Sequence, residues 1–459
     1  MRSDRLSNPG QDKATQEKAR NGGKTRMKSA RPNFEKKELA LSSAPYVYLP
    51  VAIPVYTVEI THRDPVDGGL LQRALDRTIQ RMPYFSDTLS VEHGAVYCAK
   101  NPLPMEAVQL AGIRRVGGIE TNYHMVDVTW DGHKTWFSMY HGFCDGQGIY
   151  LFMESVLYHY YCMKDGVEYD PCSIRSDSSQ MTEAEFFEPF SKQYEVSPDF
   201  SMPPREDPVA YHLPEIVRNN SGKVLEYGFR LPSEEFMRFV KANGSSPSIM
   251  LSMLVDEAIR RQHPDINAPV LANIPISIRR QLGCEETFKN CSSRIQMHIS
   301  GTPMDALPFD QRAVQLRSML KQQMNPDIFR TINNAIGQMY RARMEQATDF
   351  REEVSKPARF TTQSHDTFYL DYIGSMHKTA YADQMTDIRF LCQPAAGNTL
   401  HLNVIEHCGE FRVDFLAMYE IPGIIESLEQ VLRDHGLTFK SIPMQHFTLP
   451  MAAWREDFI

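Results

Sequence analysis

The six residues His141-Gly142-Phe143-Cys144-Asp145-Gly146 read HxxxDG and put an imidazole, a thiol and a carboxylate on one short loop. A histidine whose pKa stays near its ordinary value of about 6.5 is neutral at pH 7 and can take a proton from an attacking hydroxyl or amine. His141 is therefore the candidate general base, and Gly146 the residue that lets the backbone turn. Asp145 has two readings: a carboxylate serving the histidine's loop, or the N-cap of the next helix beside a structurally satisfied histidine. Cys144 offers a rival chemistry, a thiol nucleophile activated by His141, but no third group in the loop would orient that pair. His401, Glu406 and His407 lie on a predicted hairpin where the two histidines share a face. They read as core or surface residues, and no metal is expected. No GxSxG, HExxH, GxGxxG or Walker pattern occurs.

For this loop to work, a strand must deliver His141 and a helix must carry the chain away from Asp145. The sequence predicts antiparallel strands over 121–130 and 134–140 around Asp131-Gly132, a pair suited to a hairpin. Downstream, Ile149, Phe152, Met153, Val156, Leu157 and Tyr160 follow helical spacing. Upstream, the β-branched run over 51–61 predicts a strand. Leu71, Ala74, Leu75, Thr78, Ile79 and Met82 predict a helix stopped by Pro83. Short strands follow over 88–91 and 95–99. Apolar periodicity fades over 166–222, where Asp, Ser, Pro and Asn are dense, so this stretch reads as a crossover linker with one short helix.

The second half restarts with a strand over 224–231 and a helix over 233–242 opened by an imperfect capping box at Ser233. A helix over 248–262 and an apolar strand over 268–278 lead into Arg279-Arg280. A strand over 290–299, helix over 310–344 and strand over 367–375 follow. A hairpin turning at Cys408-Gly409 and a helix over 422–435 close the pattern. The expected organisation is a basic tail over 1–40, an N-terminal half over 41–165, the linker, and a C-terminal half over 223–459.

At 459 residues the chain exceeds one ordinary core. A hydrophobic content of 42% excludes disorder of the whole chain. The net charge of −8 argues against a general nucleic-acid binder. Residues 1–38 nevertheless hold 11 Lys/Arg against 5 Asp/Glu, with few large apolar residues, which predicts a solvated leader. That leader has no apolar core of a secretory signal, and Met27 is a credible internal start. No run is long and apolar enough to predict a transmembrane helix. The eight cysteines show no zinc-ligand spacing, which predicts reduced thiols in a cytoplasmic protein; a monomer is the expected state.

Four segments together carry a resemblance: LLQRALDRTIQRMPYF, YHGFCDGQGI, ANIPISIRRQL and FYLDYIG. In this order the chain resembles the superfamily of chloramphenicol acetyltransferases, peptide-synthetase condensation domains and stand-alone acyltransferases. The resemblance implies two similar α/β halves forming a V around a central tunnel. It implies His141 as the catalytic histidine, with Asp145 turned away to pair with an arginine, for which Arg279 is the candidate. It implies transfer of an acyl group from a thioester, acyl-CoA foremost, to a small-molecule alcohol or amine without a covalent enzyme intermediate. Two alternatives stay open: a carrier protein acting in trans as donor, and a non-catalytic binding protein. The chain departs from the pattern twice. Tyr140 stands where condensation domains place a second histidine, and Asp371-Tyr372-Ile373-Gly374 stands in place of the plant-type DFGWG.

Overall fold

Three β-sheets and the helices against them position the loop in this computed structural model, which describes residues 31–51, 53–203, 209–214, 222–356, 366–375, 379–394 and 400–459. The five-stranded sheet runs in the order Met385–Leu391, Tyr56–His62, Lys134–Met139, Val126–Asp131, Ala107–Gln109. Its central hairpin pairs Asp131 with Lys134 across a two-residue turn in which Gly132 has φ +53°, a conformation that suits glycine. The strand expected from residue 121 begins only at Val126. Ile119–Thr121 forms a 3₁₀ turn, and Asn122 and Tyr123 have φ of 47° and 64°, outside the strand region.

The seven-stranded sheet has the order Ser292–His298, Leu271–Ser277, Phe368–Ser375, Leu400–His407, Glu410–Ala417, Val224–Pro232, Lys440–Phe447. Phe368–Ser375 is parallel to both of its neighbours, and the other pairs are antiparallel. A three-stranded sheet joins Glu35–Leu39, Ala95–Lys100 and Thr88–Glu92. Residues 1–30 of the expected tail lie outside the described residues, but Glu35–Leu39 within it is a strand. Its lysines are neutralised there, Lys36 by Glu92 at 2.7 Å and Lys37 by Asp87 at 2.6 Å, so basic composition misled.

Other differences have local causes. The helix expected over 310–344 is two, Phe309–Gln323 and Pro326–Gln346. Pro326 cannot donate a backbone hydrogen bond mid-helix, and Asn325 starts the second helix by accepting from Asp327 N at 2.9 Å. Pro232, not Ser233, precedes the Ser233–Ala242 helix, and the Ser233 hydroxyl caps nothing. The strand Met385–Leu391 was not legible because its Asp387 and Arg389 interrupt the apolar pattern.

Those polar residues join two sheets. Arg389 contacts Glu226 of the seven-stranded sheet and Glu59 of the five-stranded sheet, the latter at 2.8 Å. Arg412 reaches Glu226 at 3.1 Å, Asp387 at 2.6 Å and Asp414 at 2.7 Å. Each carboxylate in this group has a cation, the condition under which buried charge is tolerated. A strand late in the chain is thus pinned into a sheet built mainly by the first half.

Apolar residues gather in two principal buried clusters. One contains Leu71, Leu75, Phe85, Phe137 and Phe152; the other contains Phe236, Leu254, Leu402, Val413 and Val431. The Gly146–Asp165 helix buries Ile149, Phe152, Met153, Val156, Leu157 and Tyr161, and also Glu154, Ser155 and His159. It is enclosed on more than the single face that the spacing predicts. Its C-terminus is closed by Gly166 at φ +66°.

Candidate active site

His141 comes just after the Lys134–Met139 strand, and Asp145 is the N-cap of the Gly146–Asp165 helix. Tyr140 N–H donates to Met125 O at 2.9 Å, and Phe143 N–H to Tyr140 O at 2.8 Å, so the chain turns sharply between the two elements. Gly142 is required by this turn: a Cβ there would lie 2.4 Å from the Tyr140 ring.

Asp145 accepts four hydrogen bonds. Oδ1 takes Gly148 N at 2.9 Å and Arg279 Nη2 at 2.8 Å; Oδ2 takes Arg279 Nη1 at 2.8 Å and Cys291 N at 2.9 Å. Asp145 is therefore a helix cap and an arginine partner at once. Arg279 lies in the short helix Arg279–Leu282 behind the Leu271–Ser277 strand and is 2% exposed. It also donates to Thr287 O at 2.8 Å and Lys289 O at 2.7 Å. Burial alone would lower the guanidinium's pKa, but Asp145 outweighs it and the pKa is raised. One bidentate ion pair thus fastens the helix start to the 284–291 loop.

That loop brings Asn290 to His141. The Asn290 amide is 3.0 Å from the His141 carbonyl oxygen and 3.3 Å from Nδ1. The ring is held between two tyrosines, stacked on Tyr46 at 4.5 Å and edge-on to Tyr56 at 4.8 Å. It remains partly exposed. Burial lowers the His141 pKa, against the opposing effects of its own backbone carbonyl and of Asp145. Burial thus favours the neutral ring, the state a proton acceptor requires.

Cys144 does not share in this chemistry. It is fully buried, its thiol lies 3.4 Å from Met139 Sδ, and burial drives its pKa well above the ordinary thiol value. Gly146 also departs from expectation. Its φ is not in the left-handed region, and a Cβ there would meet nothing within 4 Å. The demanding glycine is Gly148, where a Cβ would come within 2.2 Å of Phe288 O. Gly148→Ala is therefore expected to displace the 284–291 loop and lower both melting temperature and activity. Gly146→Ala is expected to fold as wild type; matching thermal melts for both variants would contradict this distinction.

Sequence reasoning missed Asn290, Tyr46 and Tyr56. Tyr46 and Tyr56 flank an apolar run, and nothing in their spacing pointed to a histidine 85 or more residues away. The 166–222 stretch, expected to be a linker without further role, braces the site. Glu185 binds Arg81 at 2.7 Å, and its backbone carbonyl accepts from Phe288 N at 2.9 Å. Glu188 accepts from Ser42 N at 3.0 Å and lies 3.5 Å from the buried Lys289 ammonium, which also pairs with Glu38.

The Phe368–Ser375 strand contributes Tyr369 and Asp371, in register with His401 and Asn403. Burial, then the Asp145 charge, pushes the Asp371 carboxyl up to about 6. Tyr369 stacks on His401 with centroids 5.7 Å apart, and burial lowers the His401 pKa to about 4. His407 contacts Met385 O at 2.7 Å, and no cluster suited to a metal ion occurs among the described residues. None of the described helices is long and apolar enough to cross a membrane.

Comparison of the sequence with protein-family models and with curated protein sequences gives no match. The fold does match solved structures. Polyketide synthase associated protein 5 from Mycobacterium tuberculosis aligns with a TM-score of 0.56 and 13% identity, over 87% of this chain and 98% of that one. TRI101 of F. sporotrichioides, complexed with coenzyme A and T-2, aligns with a TM-score of 0.54 and 11% identity, over 90% of this chain and 100% of that one. VibH, a condensation enzyme of nonribosomal peptide synthesis, aligns with a TM-score of 0.51 and 14% identity, over 86% and 96%. The chain thus shares the mixed α/β fold of these solved structures.

Proposed function

We propose that the protein is an acyltransferase that moves an acyl group from a thioester, foremost acyl-CoA, to the hydroxyl or amine of a small molecule. The observation that carries this is His141 itself: a partly exposed imidazole clamped between two tyrosines, on a loop fixed by a buried ion pair. A thioester is already activated, so no enzyme nucleophile is needed. His141 takes the acceptor's proton as its oxygen or nitrogen attacks the thioester carbon. The tetrahedral intermediate then expels the thiolate, the C–S bond breaks, and the imidazolium returns the proton to sulfur. The mechanism requires the proton on Nδ1, beside the residue's own carbonyl, and Nε2 as the acceptor; the Asn290 amide then donates to the His141 carbonyl oxygen and not to Nδ1. Asn290, Tyr46 and Ser292 form a hydrogen-bonding group beside the ring that can serve the developing oxyanion.

On this reading the halves over 41–165 and 223–459 form a V about a tunnel, with the strand Met385–Leu391 exchanged between them. The protein acts as a cytoplasmic monomer, and Asp145 and Arg279 serve the loop. The coenzyme A bound by TRI101 supports acyl-CoA as the donor, and the peptide-synthetase neighbours support a carrier protein as the alternative. A screen of thiol release over short and long acyl-CoAs, with alcohol and amine acceptors, tests the reading. Release that needs both donor and acceptor is the expected result. Silence until an acylated carrier protein is added would favour the alternative donor, and silence under both conditions would reject transfer.

The pH dependence has a fixed sign. A histidine pKa lowered below about 6.5 means that the rate rises with pH through that lowered value and is then level. An acid limb with its midpoint above the ordinary histidine value would contradict the assignment. In the Asp371→Asn variant, whose own carboxyl no longer titrates, the remaining limb belongs to His141.

A further inference from the structure

Among the described residues, Asp371 is a carboxylate without a partner: no hydrogen-bond donor or cation reaches it, in contrast to the paired acids Asp145, Glu226, Glu185 and Glu188. Its orientation follows from the strand. Phe368 and Leu370 are fully buried in the second apolar cluster, whereas Tyr369, Asp371 and Ile373 alternate onto the other face, and Ile373 packs against the first cluster. The charge of Asp371 on that face is felt at Tyr46 and Tyr56, the two rings that flank His141. Asn403, the register partner of Asp371, donates to Phe390 O at 2.7 Å; the Phe390 ring lies 6.5 Å from Tyr56, which is edge-on to His141.

The surroundings are aromatic. Tyr46, Tyr56 and Tyr369 are partly exposed, as are His141, Asp371 and His401. Tyr150, on the first turn of the Gly146–Asp165 helix, has a buried hydroxyl without a hydrogen-bond partner among the described residues. Burial raises the pKa of the Tyr46, Tyr56 and Tyr150 hydroxyls most; the Asp371 charge adds to it behind Asp145 at Tyr46, Cys392 at Tyr56 and Glu154 at Tyr150, which sets the carboxylate near the rings around His141. A carboxylate without a cation among tyrosine rings is chemically suited to one, because the ring faces and the carboxylate both attract positive charge. A neutral hydroxyl would restore one hydrogen bond to the carboxylate but leave its charge uncompensated.

We propose that Asp371 is the acceptor-binding carboxylate of this site, and that the acceptor carries a protonated amine alongside the group that is acylated. The inference rests on the transferase reading and narrows its acceptor to amino alcohols and polyamines as a class. The ammonium pairs with Asp371 while the neutral hydroxyl or second amine lies at His141. Because the charge is read by Asp371 and the proton by His141, the two roles separate by substitution.

The test compares acceptors that share a reacting hydroxyl and differ in charge: aminohexanol with hexanediol, and ethanolamine with ethylene glycol. With an acyl-CoA that supports thiol release, wild type is expected to favour the amino alcohol in kcat/KM by about tenfold or more, the factor that one charge-assisted hydrogen bond supplies. Asp371→Asn is expected to abolish the preference and Asp371→Glu to restore part of it, with thermal melts verifying that each variant folds. A wild type without preference, or a preference that survives Asp371→Asn, overturns the proposal and leaves His141-dependent transfer standing. If no acceptor supports thiol release, titration of tyrosine fluorescence with aminohexanol decides the matter. Saturable binding lost in Asp371→Asn supports the cation site although the transferase reading fails. Equal binding by both proteins, or by neither, overturns the site.

Discussion

Replacing His141 with alanine is expected to lower kcat by about 10²–10⁴-fold, the usual loss when a positioned general base is removed. The fold should survive the change. The loop is held by Asp145, Arg279 and Cys291, whose hydrogen bonds do not involve the imidazole, and the ring is partly exposed between its two tyrosines. The melting temperature should therefore stay near that of wild type while turnover collapses. The same experiment separates the thiol mechanism. Cys144 is enclosed and its thiolate is strongly disfavoured, so Cys144→Ala should retain turnover to within a small factor. Loss of activity in Cys144→Ala with His141→Ala still active would reverse the assignment.

Arg279→Ala has the largest expected effect on stability. It leaves the buried Asp145 carboxylate without its cation, and breaking a buried pair by removing one partner costs about 3–5 kcal/mol. The guanidinium also satisfies the Thr287 and Lys289 carbonyls, so the 284–291 loop loses its anchor at the same time. Asn290 sits in that loop, so activity should fall together with the melting temperature. Arg279→Lys should recover only part of both, because an ammonium offers one point charge where the site uses a planar fork. Asp145→Asn combined with Arg279→Met should be less damaging than the two single losses added together, since no lone charge remains. An unchanged melt for Arg279→Ala would remove the ion pair from the account.

Much of this arrangement is legible in the sequence because it is local. The His141–Gly146 loop declares itself within six residues, and the turn glycines and helical spacing around it mark a strand and a helix. Arg279 could be proposed only through the resemblance, since nothing in its own neighbourhood names a partner 134 positions away. What stayed hidden has a common physical cause. Asn290, Tyr46 and Tyr56 act through packing between distant segments, and residue type alone carries no trace of that. Strand Met385–Leu391 was hidden because its buried Arg389 and half-buried Asp387 are neutralised by Glu226 and Arg412 from elsewhere, which breaks the alternation that betrays a strand. Gly146 shows the converse error. A conspicuous motif glycine turns out to be unconstrained, while Gly148, two residues on, meets a backbone carbonyl.

Progress curves of thiol release, recorded for wild type and His141→Ala with a saturating acyl-CoA and an acceptor, bear most directly on the central claim. The acylated acceptor is identified by mass in the same samples. The account predicts acceptor-dependent release and product with wild type, and at least about a hundredfold slower formation of both with the variant. Equal rates from the two folded proteins would contradict it, because transfer would then proceed without the imidazole.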